Sequence, residues 1–319
     1  MWAGATLINM KTVILFGSKN IRGNFIFIPF SSVTWNQLKK YNPYNQMKII
    51  RVFPRKTNAS PKDNLTYFGP PDLFAEADEI HISVSFTWDI PYSEWLMVQW
   101  ERIAPVKMGG PAFNKPGGVF QPGMYLAKGY VITSRGCPNK CWFCSVWKRE
   151  SGVNELPITE GNNVLDDNLL ACSDSHIQKV FEMLSYQKKV QFTGGLEAKR
   201  LKNWHINWFT KLSIDQMFFA YDTIDDYEPL LDASKMLKDA GYNWNVLRCY
   251  VLIGFPRDSF KYAEERLKQV LDLGMMPMAM LYRNDSGNYD QEWRRFQGLW
   301  ARPAIINYRI KKRQIMTIP

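Results

Sequence analysis

The stretch Gly129-Tyr130-Val131-Ile132-Thr133-Ser134-Arg135-Gly136-Cys137-Pro138-Asn139-Lys140-Cys141-Trp142-Phe143-Cys144 passes from a β-branched strand, through a glycine turn, into three cysteines. Runs of Val, Ile, Thr and Tyr read as strand, here Gly129 to Thr133, and Gly136 punctuates its end. Only two other cysteines, Cys172 and Cys249, occur in the chain, both remote in sequence from this group. A chain with so few cysteines would show the spacing by chance in about one case in a thousand, so the spacing signals function. Three thiolates in one short loop can converge on a soft metal ion or an iron–sulfur cluster. Protein clusters usually take four cysteines, and three would leave one iron open to a small molecule. Cys172 and Cys249 have no partner at ligand spacing and read as small buried hydrophobes.

Downstream, strands and helices alternate. Strands are expected at Asn163 to Leu165, Val190 to Thr193, Gln216 to Tyr221, Leu247 to Ile253 and Met278 to Tyr282. Between them, helical spacing covers a segment capped by Ser173 and Asp174 and running to Leu184, then Asn203 to Lys211, Leu230 to Ala240 and Tyr262 to Leu273, with Gly241 and Gly274 as stops. About six strands with helices between them point to a parallel α/β barrel or open sheet, where chemistry sits at the carboxyl ends of strands.

Upstream, short strands are expected at Thr12 to Gly17, Phe25 to Phe30 and Ile49 to Phe53, followed by a Pro-, Asn- and Lys-rich loop from Phe53 to Pro71. Glu79 to Phe86 alternates as a strand, Pro91 to Ile103 has helical spacing, and Pro105 to Met108 is a strand closed by Gly109-Gly110. Strand, helix, strand and glycine pair form a βαβ ending. Gly109 to Gly123 holds five Gly and three Pro and reads as an inter-domain linker. The expected division is a small α/β domain over 1–110, a linker over 111–124, a larger α/β domain over 125–285 and a basic extension over 286–319.

The chain has 319 residues, 46% hydrophobic and 22% charged, which excludes disordered, collagen-like and coiled-coil classes. No apolar run approaches the roughly 18 residues of a membrane span, and Met1 to Lys11 lacks a secretory pattern, so the expectation is a cytoplasmic protein without membrane association. Residues 1–9 read as a leader preceding Met10. The net charge of +10 comes from the two ends. Lys39, Lys40, Lys48, Arg51, Arg55, Lys56 and Lys62 interleave with Tyr41, Tyr44 and Phe53, and Arg309, Lys311, Lys312 and Arg313 crowd the tail. Such mixtures suit a polyanion-binding face, although an ordinary solvated basic surface is the commoner origin of such a pattern.

With Phe143 before the last cysteine, Cys137, Cys141 and Cys144 resemble the CxxxCxxC signature of the radical S-adenosylmethionine (SAM) superfamily. That resemblance implies a partial (βα)6 barrel over about Tyr125 to Arg283. It also implies a 4Fe-4S cluster held by the three cysteines, a fourth iron that chelates SAM, and an electron donor of the flavodoxin or ferredoxin type. One electron would cleave SAM to methionine and a 5′-deoxyadenosyl radical that takes hydrogen from a substrate. Other candidates follow from the same resemblance. Gly194-Gly195 with Glu197 looks like the SAM-binding Gly-Gly-Glu element, here after the third strand. Asp166-Asp167-Asn168 looks like the acidic turn of the subgroup that carries an N-terminal cobalamin-binding domain. Ile253-Gly254, within Val251 to Pro256, looks like the fifth-strand element that packs on adenine. Asp222, Arg248 and Arg283 are ribose or carboxylate candidates, with surface ion pairing as the other reading.

The βαβ-Gly-Gly unit is similar to the end of that cobalamin-binding domain, so a degenerate Rossmann-like domain is expected. The Asp-x-His-x-x-Gly ligand motif is absent, and no cobalamin is expected. Phe86-Thr87-Trp88-Asp89 and the segment Cys249 to Arg283 resemble uncharacterised phage and prophage radical SAM proteins. The basic ends suggest a nucleic acid or nucleotide substrate. The alternative, drawn from Cys172-x-x-x-His176 with the upstream thiolates, is a non-catalytic zinc or iron–sulfur module on a nucleic-acid-binding protein.

Overall fold

The computed structural model describes residues 16–19, 25–28, 47–114, 120–284 and 286–308. The 1–9 segment, Lys39, Lys40, Tyr41, Tyr44, residues 115–119 of the linker and the basic tail from Arg309 lie outside them. The chain divides into two compact units, residues 1–48 and 49–319. In the first, β1 (Phe16–Lys19) pairs antiparallel with β2 (Phe25–Ile28), Phe16 opposite Ile28.

The second unit is α/β, with two all-parallel sheets. The smaller sheet holds β3 (Ile49–Val52), β4 (Thr66–Tyr67), β5 (Glu79–Ser83) and β6 (Val106–Gly109) in the order β4-β3-β5-β6. The chain leaves β3 for a neighbour on one side, then returns past it to build the other side. Helix α1 (Ile90–Trp100) fills the β5–β6 crossover and buries Leu96 and Trp100 against Ile50, Val52, Ile80 and Ile82. β4, only two residues at a sheet edge, falls in the segment expected to be loop. The Trp100 indole donates to the Gly69 carbonyl at 2.9 Å and ties that segment down.

The larger sheet runs β7 (Tyr130–Val131), β10 (Asn163–Val164), β11 (Val190–Phe192), β12 (Ile214–Ala220), β13 (Leu247–Ile253) and β14 (Met276–Leu281), neighbours in that order. Each crossover therefore steps the same way. Parallel crossovers are almost always right-handed, so repeated steps in one direction keep the connecting helices on one face. Those helices are α3 (Asp174–Ser185), α4 (Asn203–Phe209), α5 (Tyr227–Asp239) and α6 (Phe260–Asp272). Their apolar stripes, such as Ile177, Val180, Phe181 and Leu184 on α3, join one core with the inward row Leu247, Cys249, Val251 and Ile253 of β13, Phe181 meeting Phe192 of β11. Arg248, Tyr250 and Leu252 alternate with that row onto the other, half-buried face.

Four elements of this half were not expected from the periodicity. β8 (Ser134–Arg135) pairs antiparallel with β9 (Asn154–Glu155), and α2 (Val146–Arg149) is a single turn after the cysteines, each too short for a period to show. α7 (Gln291–Trp300) begins at Asp290, whose carboxylate accepts the amides of Glu292 and Trp293, and its Gln297 donates to the Ala279 carbonyl of β14 at 3.0 Å. Of the upstream basic group, Arg51 and Phe53 are buried. Arg51 pairs with Asp63 and donates to the carbonyls of Gly123 and Met124, so it serves the interior rather than a polyanion face. Among the described residues no helix is long and apolar enough to cross a membrane.

Candidate metal centre

The loop after β8 carries Cys137, Cys141 and Cys144, all free thiols and all partly exposed. Its entry is fixed at Gly136, whose φ of +88° is left-handed and whose Cβ position would fall 1.8 Å from the Gly152 carbonyl oxygen. A side chain there would push the two arms of the loop apart. Inside the loop the Cys144 amide donates to the Cys141 carbonyl at 3.1 Å, and the Trp147 indole donates to the same carbonyl at 3.0 Å.

The turn after β10 holds this loop from below. Asp166, almost fully buried, accepts the Thr133 amide at 2.6 Å and the hydroxyls of Thr133 and Ser134 at 2.5 and 2.7 Å. Asp167 points the other way, accepting the Gly136 amide at 2.9 Å and pairing with Arg149 at 2.8 Å. Asn168 spends its amide group on the Cys137 sulfur at 3.3 Å and Glu197 Oε2 at 2.6 Å. Glu197 also accepts Asn139, from between the first two cysteines, and pairs with Lys199 and Arg200. Burial works against its charge, yet Lys199, Asn168, Asn139 and Arg200 hold its carboxyl down at about 2. Four donors fill this carboxylate, so a ligand reaching Glu197 has to displace one of them.

The remaining candidates divide sharply. Gly194 lets β11 pass the acidic turn, since a Cβ there would lie 2.2 Å from the Asp166 carbonyl oxygen; a Cβ on Gly195 would meet only open space. Asp222 follows β12 and accepts the Leu252 amide at 3.1 Å. Burial, with Asp226 beside it, pushes its carboxyl up to about 7. Phe143 packs edge-on against Trp142. Gly254 ends β13 and donates to Asp258 at 2.9 Å, but the Ile253 side chain is fully buried in the helix-facing core and only its backbone reaches the rim. The structure does not bring Arg248 to the site. It is the second residue of β13 and donates to the Asn245 carbonyl, at the amino end of the strand, about 20 Å of strand from Gly254.

Sequence reasoning missed Asn139, Asp167 and Arg149 as anchors, and the ring cluster in which Trp142 meets Phe255 and Tyr282 at 5.7 Å each. Asp167 had a signal, because successive residues of an extended turn face opposite ways. Cys172 and Cys249 are buried as expected, the Cys172 thiol pushed up to about 12 by desolvation. His176 lies in the first turn of α3 and faces Thr133 and Glu155.

The donor set suits a soft cation. Burial raises the thiols of Cys141 and Cys144, and their neighbouring thiols raise them further, so a metal must displace protons to be held. The Oδ1 of Asn168, beside Cys137, is buried without a donor among the described residues. Among those residues no three His, Cys, Asp or Glu side chains close around a single ion. Compared with known proteins, the chain matches no protein-family model and no curated sequence. Its function has to be read from the site itself.

Proposed function

We propose that this chain is a radical SAM enzyme in which Cys137, Cys141 and Cys144 hold a 4Fe-4S cluster. Reduced by a flavodoxin- or ferredoxin-type donor, the cluster would supply cleavage of SAM to methionine and a 5′-deoxyadenosyl radical that abstracts hydrogen from a substrate. The observation that carries the reading is where the cysteine loop lies. It follows the first strand of the large sheet and touches residues that follow four of the others: Asp167 and Asn168 after β10, Glu197 after β11, Phe255 after β13 and Tyr282 after β14.

The same contacts support a partial (βα)6 barrel. In a flat sheet the ends of β10 and β14 would stand about 19 Å apart. Cys137 touches the turn after the first and Trp142 a residue after the second, five residues later, at most about 18 Å of fully extended chain. Side chains add reach at both contacts, and the loop bends back on itself between Cys141 and Cys144, a path that fits a sheet curled toward it. The order β4-β3-β5-β6 supports a Rossmann-like first domain, and none of the three histidines offers a cobalamin ligand motif.

Around the centre, Asn139, Asn168 and Glu197 pin the loop, while Trp142, Phe255 and Tyr282 form an aromatic wall beside it. The open backbone at Gly195 leaves room for a ligand beside that anchor. The test is anaerobic: reconstitute the full chain with iron and sulfide, add SAM and a strong reductant, and quantify 5′-deoxyadenosine beside a Cys137/Cys141/Cys144 triple-alanine control. Product in the wild type alone supports the reading. Full iron without product, or bound zinc in place of iron, overturns it, and zinc would favour the binding-module alternative.

A further inference from the structure

A row of rings and cations leads away from the cysteine loop. Trp142, 55% exposed, meets Phe255 and Tyr282. The next residue, Arg283, sets its guanidinium 4.8 Å from the ring centre of Trp88 and 4.5 Å from that of Tyr289. Trp88 stacks on Phe86 at 4.8 Å and 12°. Arg55 lies over the Phe86 ring at 5.5 Å while paired with Asp89, and Lys56 lies over Phe68 at 5.7 Å. The row joins the carboxyl ends of the two parallel sheets. Gly287 permits the junction, since a Cβ there would fall 2.3 Å from the Cβ of Trp88.

A purely structural row would bury its rings. Here Trp142, Phe86, Phe68 and Tyr289 all remain exposed. The charge balance points the same way. Of the carboxylates beside the row, Asp89 and Asp258 are each occupied by an arginine and Asp290 by the backbone amides of α7, whereas Arg283 and Lys56 have no carboxylate partner among the described residues. A neutral metabolite would leave those cations unmatched. Part-exposed rings, several of them carrying a guanidinium or ammonium on one face, match unpaired bases alternating with phosphates. A duplex hides its base faces within its own stack, so it cannot use the rings.

We infer that this row binds single-stranded nucleic acid, with bases on Trp142 and on the Arg55–Phe86 stack and phosphates against Arg283 and Lys56, delivering a nucleotide of the strand to the cysteine loop. The delivery rests on the radical SAM reading; the binding does not.

The experiment measures fluorescence anisotropy of short labelled oligonucleotides with the full reconstituted chain, without SAM or reductant, so its outcome is separate from 5′-deoxyadenosine formation. Single-stranded DNA, single-stranded RNA and a DNA duplex form the arms, and the tighter single-stranded arm identifies the sugar. Single strands are expected to bind tighter than the duplex. Trp142→Ala and Phe86→Ala are each expected to weaken binding about 5- to 150-fold with an unchanged salt dependence. Arg283→Ala should lower the slope of log K against log salt by about one. Tyr186→Ala, which removes an exposed ring just past α3, should bind like the wild type. Where Trp142→Ala loses iron, Phe86→Ala carries the test, because it lies outside the loop. Duplex binding as tight as single-strand binding, wild-type binding by both ring variants, or affinity weaker than about 100 µM at low salt overturns the inference.

Discussion

Replacing Glu197 by Gln tests the anchor of the cysteine loop. The carboxylate accepts Asn139 and Asn168 and pairs with Lys199 and Arg200. A glutamine keeps one acceptor oxygen and turns two donors toward groups that are themselves donors. Against burial, those four partners lower the carboxyl from 4.5 to about 2. At about 1.4 kcal/mol per unit, that is about 3 kcal/mol of stability at neutral pH. Lys199 is half-exposed and screened by water, which brings the expected loss to about 2 kcal/mol. The sign follows from a folded pKa below the unfolded one. The stabilisation is fully present above about 4.5 and disappears as pH falls through about 2. Urea unfolding of wild type and Glu197→Gln at a series of pH values therefore gives curves about 2 kcal/mol apart at pH 7 that converge in acid. A difference below about 0.5 kcal/mol at neutral pH, or one that does not shrink as the pH falls, would falsify the anchoring role.

Asp222 titrates in the opposite sense, since burial raises it from 3.8 to about 7, so the folded chain before iron loading loses stability as pH rises through that window. Asp222→Asn should remove this dependence and gain on the order of 4 kcal/mol above pH 7, checked by urea midpoints at pH 5 and pH 8. Gly194→Ala forces a methyl group against the Asp166 backbone carbonyl, which cannot swing away, and should cost about 3 kcal/mol or more. Gly195→Ala has space and only a left-handed φ of +99° to strain, about 1–2 kcal/mol; thermal melts of the two rank them, and an equal or inverted order contradicts the close approach. In the native metal-free chain, iodoacetamide should label Cys137, Cys141 and Cys144 and spare Cys172 and Cys249, read by mass spectrometry. Rapid labelling of Cys172 would contradict its burial.

The large sheet was legible because its strands and helices are long enough for periodicity to work. Leu247–Ile253 alternates cleanly, and α3 and α6 open on serine caps that accept the amides of His176 and Tyr262. Helix ends differed by a turn at most, as at α5, which starts at Tyr227 rather than Leu230. The cysteine group was legible because its spacing is improbable. The anchoring contacts were not, because Asn139 reaches Glu197, itself named only through the Gly-Gly-Glu resemblance, and Gly136 reaches Asp167 across 30 or more residues of sequence, through a turn whose alternation has no repeat to reveal it. Arg248 failed for a simpler reason. Proximity to a strand says nothing about which end of the strand a residue occupies, and only the register, with Arg248 beside Met276 at the start of β14, placed it at the amino end.

Asp166, Asp167 and Asn168 face three different partners in succession: the Thr133–Ser134 backbone, the Gly136–Arg149 pair, and the Cys137 thiol with Glu197. Their order along the chain is therefore a code in phase rather than in composition. Single replacements each cut one tether and leave the others in place. Deleting one residue upstream of the turn would instead hand every partner the wrong neighbour, setting Leu169 against the Cys137 sulfur and the Asn168 amide into the pocket built for Asp167. Variation at this locus is expected to proceed by substitution at constant length, with insertions and deletions confined to the loop beyond Cys144.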